Sequence, residues 1–179
     1  MMIQIATTRD IPAISKVHVD TWRSTYQGIV SDTYLEKLSY TDRERRWQKI
    51  FARSTENNSF TYVAKNAQGD VVGFANGCPE RTGKTAYQGE LTSIYILKAH
   101  QGRGIGRCLL QAVANKLEQL ELTSMLVWVL VENPACEFYL ARGGQEVCRK
   151  EIEVGGKKLV EVAYGWKDTT MLKNVDCSI

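Results

Sequence analysis

The segment Gln101-Gly102-Arg103-Gly104-Ile105-Gly106-Arg107 carries the most chemistry for its length. Glycines at alternate positions let a backbone approach a ligand closely and take positive φ. A helical pattern begins directly after them. Its first N–H groups have no partner inside the helix and carry partial positive charge, so they point donors into the loop. Arg103 and Arg107 add full charges. This is an anion site, and a diphosphate fits its extent. A dinucleotide fingerprint fails because Arg107 stands where a third-spaced glycine is required. A nucleoside-triphosphate loop fails because no Gly-Lys-Ser or Gly-Lys-Thr follows.

The loop must be held between a strand and a helix. Tyr87 to Leu97 reads as the strand. Residues 104 to 121 read as the helix, with Leu109, Leu110, Val113 and Leu117 on its inner face. Met125 to Val131 is a continuous apolar run, expected of a strand buried on both faces and parallel to a neighbour. Strand, helix and strand then form a right-handed crossover. Upstream, Ile3 to Ala6 reads as a strand, followed by a helix with Pro12 near its start. A short helix follows near Ser31, and a third begins at Thr41, where Thr41-Asp42-Arg43-Glu44 matches a capping box. Phe60–Lys65 and Val71–Cys78 form a hairpin across Asn66 to Asp70. Downstream, Asn133–Arg142 reads as a short helix closed by Gly143-Gly144. Glu146–Val154 and Lys158–Trp166 form a second hairpin at Gly155-Gly156. Residues 1–167 read as one domain and 168–179 as a loose C-terminal tail.

Bulk properties narrow the function. The chain has 179 residues, 44% apolar and 24% charged, with a net charge of +3. That is an ordinary globular composition, far from a dedicated nucleic-acid binder. The basic run Arg43, Arg45, Arg46, Lys49 and Arg53 is read as a solvated helix face. Five cysteines, with no CxxC pair and two histidines, argue against a zinc site and are read as free thiols in a reducing cytoplasm. No membrane span or secretory leader is expected, which places the protein in the cytoplasm.

The pattern Gln101-x-x-Gly104-x-Gly106 between strand and helix resembles the acetyl-CoA signature of the GNAT superfamily of N-acetyltransferases. Leu91-Thr92-Ser93-Ile94-Tyr95-Ile96 resembles the strand that precedes it. Asn133-Pro134-Ala135, with Phe138-Tyr139 and Gly143-Gly144, resembles a later segment of the same family. The chain departs at Lys98, where many members have proline, and at Gln145, where many have phenylalanine. The resemblance covers residues 3 to 166. It implies an α/β (α+β) single-domain fold: a mixed, mostly antiparallel sheet of six or seven strands with a central parallel pair, flanked by four to five helices.

The resemblance also implies roles. The cofactor is acetyl-CoA, its pantetheine arm pairing with the backbone of Ile94, Tyr95 and Ile96. Its diphosphate rests on Gln101, Gly102, Arg103, Gly104, Ile105, Gly106 and Arg107, and Asn133 touches the pantetheine end. The reaction is direct attack of a primary amine on the thioester. Glu90 is the expected base; strand alternation groups it with Thr92, Ile94 and Ile96, where an apolar surface would raise its pKa. Tyr139 is the expected acid at the leaving sulfur. Trp22 and Tyr26 are expected acceptor-site walls, whereas His18 and Trp47 are read as packed core residues. The acceptor is a small-molecule or peptide amine of unspecified kind, with no nucleic-acid or membrane partner, and a homodimer is allowed. A second reading is an acyl-CoA-binding regulatory module on the same fold, without turnover.

Overall fold

The computed structural model describes residues 1–173 and Cys177. Seven strands form one sheet: β1 (Met2–Ile5), β2 (Phe60–Lys65), β3 (Val71–Pro79), β4 (Gly89–Ile96), β5 (Met125–Leu130), β6 (Gln145–Val154) and β7 (Lys157–Trp166). Their spatial order is β1-β2-β3-β4-β5-β7-β6. Every neighbouring pair is antiparallel except β4 and β5. The parallel pair needs a crossover, supplied by α4 (Ile105–Gln119). The other helices are α1 (Ile11–Thr25), α2 (Asp32–Glu36), α3 (Tyr40–Ala52) and α5 (Ala135–Ala141). No helix among the described residues is long and apolar enough to cross a membrane.

Helices cover both faces of the sheet. On one face, Leu109, Leu110, Val113 and Leu117 of α4 are fully buried against Phe60, Leu91, Met125 and Val127. On the other, Ile14 and Val17 of α1 and Trp47 of α3 pack on Val63 and Phe74. Deep burial of β5 on both faces explains its unbroken apolar run.

Helix starts follow side-chain chemistry. Ser31 caps α2, its hydroxyl accepting from the Tyr34 N–H at 3.3 Å. The cap of α3 is Ser39, accepting from the Asp42 N–H at 3.3 Å, and not the expected Thr41. Both residues are good caps, and the earlier one lets Tyr40 enter the helix, where its hydroxyl donates to Asp20 at 2.6 Å.

The strand β4 breaks its own alternation. Gly77 pairs with Leu91 and Asn76 with Ser93, so Thr92 is an extra residue in a β-bulge. The Thr92 hydroxyl donates to the Asn76 side-chain carbonyl. The extra residue shifts the phase of every later side chain. Leu91, Ile94 and Ile96 therefore face α4, while Glu90, opposite Cys78, shares the other face with Tyr95, opposite Phe74. The expected common face for Glu90, Ile94 and Ile96 is corrected accordingly.

The chain beyond β7 docks where a loose tail was expected. Thr169–Leu172 form a single 3-10 turn, with Thr169 and Leu172 buried. The Thr169 N–H donates to the Thr123 carbonyl at 2.9 Å. Lys173 then reaches Glu118 of α4. Cys177 forms a disulfide with Cys108, their Cα atoms 5.6 Å apart. Three cysteines are free, Cys78, Cys136 and Cys148, so the reading of five free thiols is corrected. The pair is 69 residues apart in sequence, and only the return of the chain along α4 brings it together. Residues 174–176 and 178–179 of the expected tail lie outside the described residues.

Candidate active site

The glycine loop enters α4 through Gly104, whose φ of 81° lies in the left-handed region, as does the 72° of Gly102. A side chain at either position is strained, which explains glycine at both. The first backbone bond that α4 makes to the loop runs from Cys108 N–H to Gly104 O at 3.2 Å. The N–H groups of Ile105, Gly106 and Arg107 precede it at the helix start. The Gln101 amide donates to the Ile96 carbonyl at 2.9 Å and ties the loop to the end of β4.

This loop forms one end of a cleft of about 1030 Å³. All twelve residues expected at the cofactor line it: Ile94, Tyr95, Ile96, the loop from Gln101 to Arg107, Asn133 and Tyr139. Lys98, His100 and Arg142 join them, which sequence reasoning did not foresee. Basic side chains around a left-handed glycine loop and a helix start fit a diphosphate.

The cleft exists because two strands part. The ladder between β4 and β5 holds only from Gly89 to Leu91 against Met125 to Val127. Beyond Leu91 the strand β4 runs on to Ile96 with no strand partner on that side among the described residues. Its open edge can pair an extended ligand, as an added strand would.

Tyr139 of α5 is 3% exposed at the wall of this cleft, its ring near Phe138, Tyr164 and Trp166. Burial pushes its phenol well above its usual pKa, with Tyr95 and Cys136 adding to the effect. The group therefore stays a proton donor across ordinary pH. Asn133 makes two hydrogen bonds inside the protein. Its side-chain oxygen accepts from the Ala135 N–H at 2.9 Å, and its amide donates to the Tyr26 hydroxyl at 3.0 Å. It thus fixes the start of α5 against the end of α1.

A second cleft of about 610 Å³ lies on the α1 and α3 side. Trp22, Tyr26 and Glu90 all line it. The two clefts share Tyr26, Thr92, Ser93, Tyr95, Trp128 and Val129, so they meet where β4 and β5 separate. Trp22 donates from its indole N–H to the Tyr95 hydroxyl at 3.0 Å, and its ring lies tilted 4.6 Å from that of Tyr26. Burial raises the pKa of both tyrosines.

Glu90 is almost fully buried, but its surroundings differ from those expected. Arg81, in the loop after β3, donates to both carboxylate oxygens, at 2.9 and 2.5 Å. The Arg81 guanidinium is held further above its usual pKa by that bond. A bidentate guanidinium, rather than an apolar surface, is the partner of Glu90. No spacing rule links positions 81 and 90 across an irregular loop, so sequence reasoning missed the pair.

His18 is packed among rings, 4.7 Å from Tyr95 and 5.7 Å from Phe74. Burial, with Arg43 and Arg46 nearby, pulls its pKa down to about 3. It is a neutral core residue at physiological pH.

The family model described as the acetyltransferase (GNAT) family matches residues 19–143. The chain belongs to the GNAT family. A relative from Bacillus subtilis (strain 168), described as the uncharacterized N-acetyltransferase YuaI, is 39% identical over 173 residues, covering 97% of this chain and 96% of its own. Among solved structures, a ribosomal-protein-alanine N-acetyltransferase from Brucella melitensis superposes with a TM-score of 0.73 at 24% identity, over 93% of this chain and 99% of that one. The yncA protein of Salmonella typhimurium, a putative acetyltransferase with its cofactor acetyl-CoA, superposes with a TM-score of 0.70 at 20% identity, over 92% of each chain. This GNAT chain shares their fold, and the loop from Gln101 to Gly106 falls inside the segment matched to the family.

Proposed function

We propose that this protein transfers an acetyl group from acetyl-CoA to a primary amine. The observation that carries the reading is the meeting of two clefts at the gap between β4 and β5. One is built for a long anionic ligand. The other is lined in part by the buried carboxylate of Glu90. The family and the yncA complex support the choice of cofactor.

Acetyl-CoA supplies an activated thioester carbonyl. The residues of this chain position and poise the partners. The N–H groups at the start of α4, with Arg103 and Arg107, hold the diphosphate. The open edge of β4 from Ile94 to Ile96 aligns the pantetheine arm and offers N–H donors to a carbonyl oxygen that gains negative charge. Asn133 holds α5 at the pantetheine end. Glu90, kept in place by Arg81, accepts the proton that a primary amine must lose. Tyr139 donates to the departing sulfur. With its phenol raised well above the range of thiols, it acts by holding a hydrogen bond to the thiolate. Trp22 and Tyr26 form the aromatic wall against which the amine is placed.

We place the reaction in the cytoplasm, where acetyl-CoA is made and used. There the Cys108–Cys177 bond faces a reducing thiol pool. The experiment that tests the reading is calorimetric titration with acetyl-CoA, with NAD and ATP as controls, followed by thiol release over an amine library. Micromolar binding of acetyl-CoA alone, with amine-dependent release, is the expected result. Absence of acetyl-CoA binding overturns it.

A further inference from the structure

The basic run on α3 borders a cavity as well as bulk water. Arg45 faces water only, 71% exposed and bonded to Asp42 at 3.3 Å. Arg43, Arg46, Lys49 and Arg53 line the second cleft, Arg43 half-buried and the other three exposed at its rim. Residues spaced by three, three and four along a helix share one side, which puts the positive charge on the wall of the cavity.

The charges of that cleft do not balance. Its two acids, Glu90 and Glu161, are already paired, with Arg81 and with Lys150 at 3.4 Å. The four α3 cations remain. Among the described residues none of them pairs with a carboxylate. Arg43 is half-buried, and its guanidinium is pushed below its usual pKa by burial and by Arg46 beside it. Like charges gathered along one wall repel, most of all at the half-buried Arg43, and a counter-charge relieves them. Arginine forks also match the geometry of planar and tetrahedral oxyanions.

We propose that the acceptor is a small amino acid or amino-acid analogue whose carboxylate or phosphoryl oxyanion docks on Arg43 and Arg46 while its amine faces Glu90. Lys49 and Arg53 extend the positive field along the same helix and favour entry of the anion. This rests on the reading of the second cleft as the acceptor site. The two ends of the ligand then find opposite charges. The carboxylate at 90 meets the ammonium as it gives up its proton, and the α3 wall holds the remote oxyanion.

The test compares matched amines: α-amino acids, their α-aminophosphonate analogues and their neutral amides. The α-amino group of the amide is the most easily deprotonated of each set, with a pKa near 8, so intrinsic reactivity opposes the expected order. The expected kcat/KM for an acid or phosphonate exceeds that for the amide by about 10- to 100-fold, the range of a charge-assisted contact. The carboxylate and phosphonate arms show which oxyanion the wall prefers. The double variant Arg43→Ala/Arg46→Ala should bring the ratio to within about threefold, and Arg45→Ala should leave it intact. Equal kcat/KM for acid and amide in the unaltered protein, or a ratio unmoved by the double variant, overturns the proposal. If acetyl-CoA binds but no amine releases thiol, the acetyl-transfer reading fails instead. The anion wall is then judged by calorimetry on CoA-saturated protein, where the acid must still bind about 10-fold more tightly than its amide.

Discussion

Arg81 grips both carboxylate oxygens of Glu90 from a loop nine residues upstream, and both residues line the second cleft. The grip fixes the carboxylate in one orientation and fills part of its accepting capacity. Glu90→Gln should therefore lower kcat by about 10²- to 10⁴-fold, the range for a lost general base. Arg81→Ala should lower kcat less but raise its dependence on ionic strength. The same variant should cost roughly 1–2 kcal/mol of stability, less than a fully buried pair because the Arg81 side chain is 62% exposed. Thermal melts and steady-state rates of the two variants check this.

Tyr139→Phe should reduce kcat by about 10- to 100-fold with little change in acetyl-CoA affinity, because its ring packing against Phe138, Tyr164 and Trp166 is retained. Calorimetry and turnover on the same preparation separate the two effects. Wild-type turnover removes the phenol from the chemistry.

At Gly104 the left-handed backbone sets the order of substitutions. Asparagine tolerates that conformation better than valine. Gly104→Asn should keep more acetyl-CoA affinity than Gly104→Val, with both proteins folded by circular dichroism. Equal affinities would detach the loop from the diphosphate.

The His18 imidazole gives a pH signature of stability. Its folded pKa of about 3 lies below the unfolded 6.5. Between those values the unfolded chain binds a proton that the folded one does not, so stability falls as pH falls. The slope is at most about 1.4 kcal/mol per pH unit and ends near the folded value. Urea midpoints at about pH 7 and about pH 4.5 should draw together in His18→Gln relative to the parent.

Oxidised protein unfolded in denaturant should titrate three thiols, from Cys78, Cys136 and Cys148, and five after reduction. Reduction should lower the melting temperature, since the bond closes a long loop in the unfolded chain. Five thiols before reduction would remove the bond from the account.

Much of this was legible in the residue string, for physical reasons. The loop from Gln101 to Arg107 announces itself because backbone conformation, helix polarity and charge all act within seven residues. Hairpins and α4 follow from local periodicity and turn chemistry. Relations that depend on tertiary placement were not legible. The bulge at Thr92 leaves no mark in the composition of β4, yet it moved Glu90 to the face opposite Ile94. Arg81 reaches Glu90 across an irregular loop. The basic residues of α3 read as solvated, and Arg45, Arg46, Lys49 and Arg53 are exposed, but nothing in their spacing reveals the cavity beside Arg43. The return of Cys177 to Cys108 depends on where the chain goes after β7.

The early parting of β4 from β5 also sets an order of events. One ligand is approached past α4 and α5 and the other past α3 and β6, and both reach the same six residues at the gap. Neither has to leave before the other arrives. Such an architecture favours a ternary complex over a relay through a modified enzyme. Initial-rate lines for varied acceptor at several fixed acetyl-CoA concentrations should therefore intersect and not run parallel.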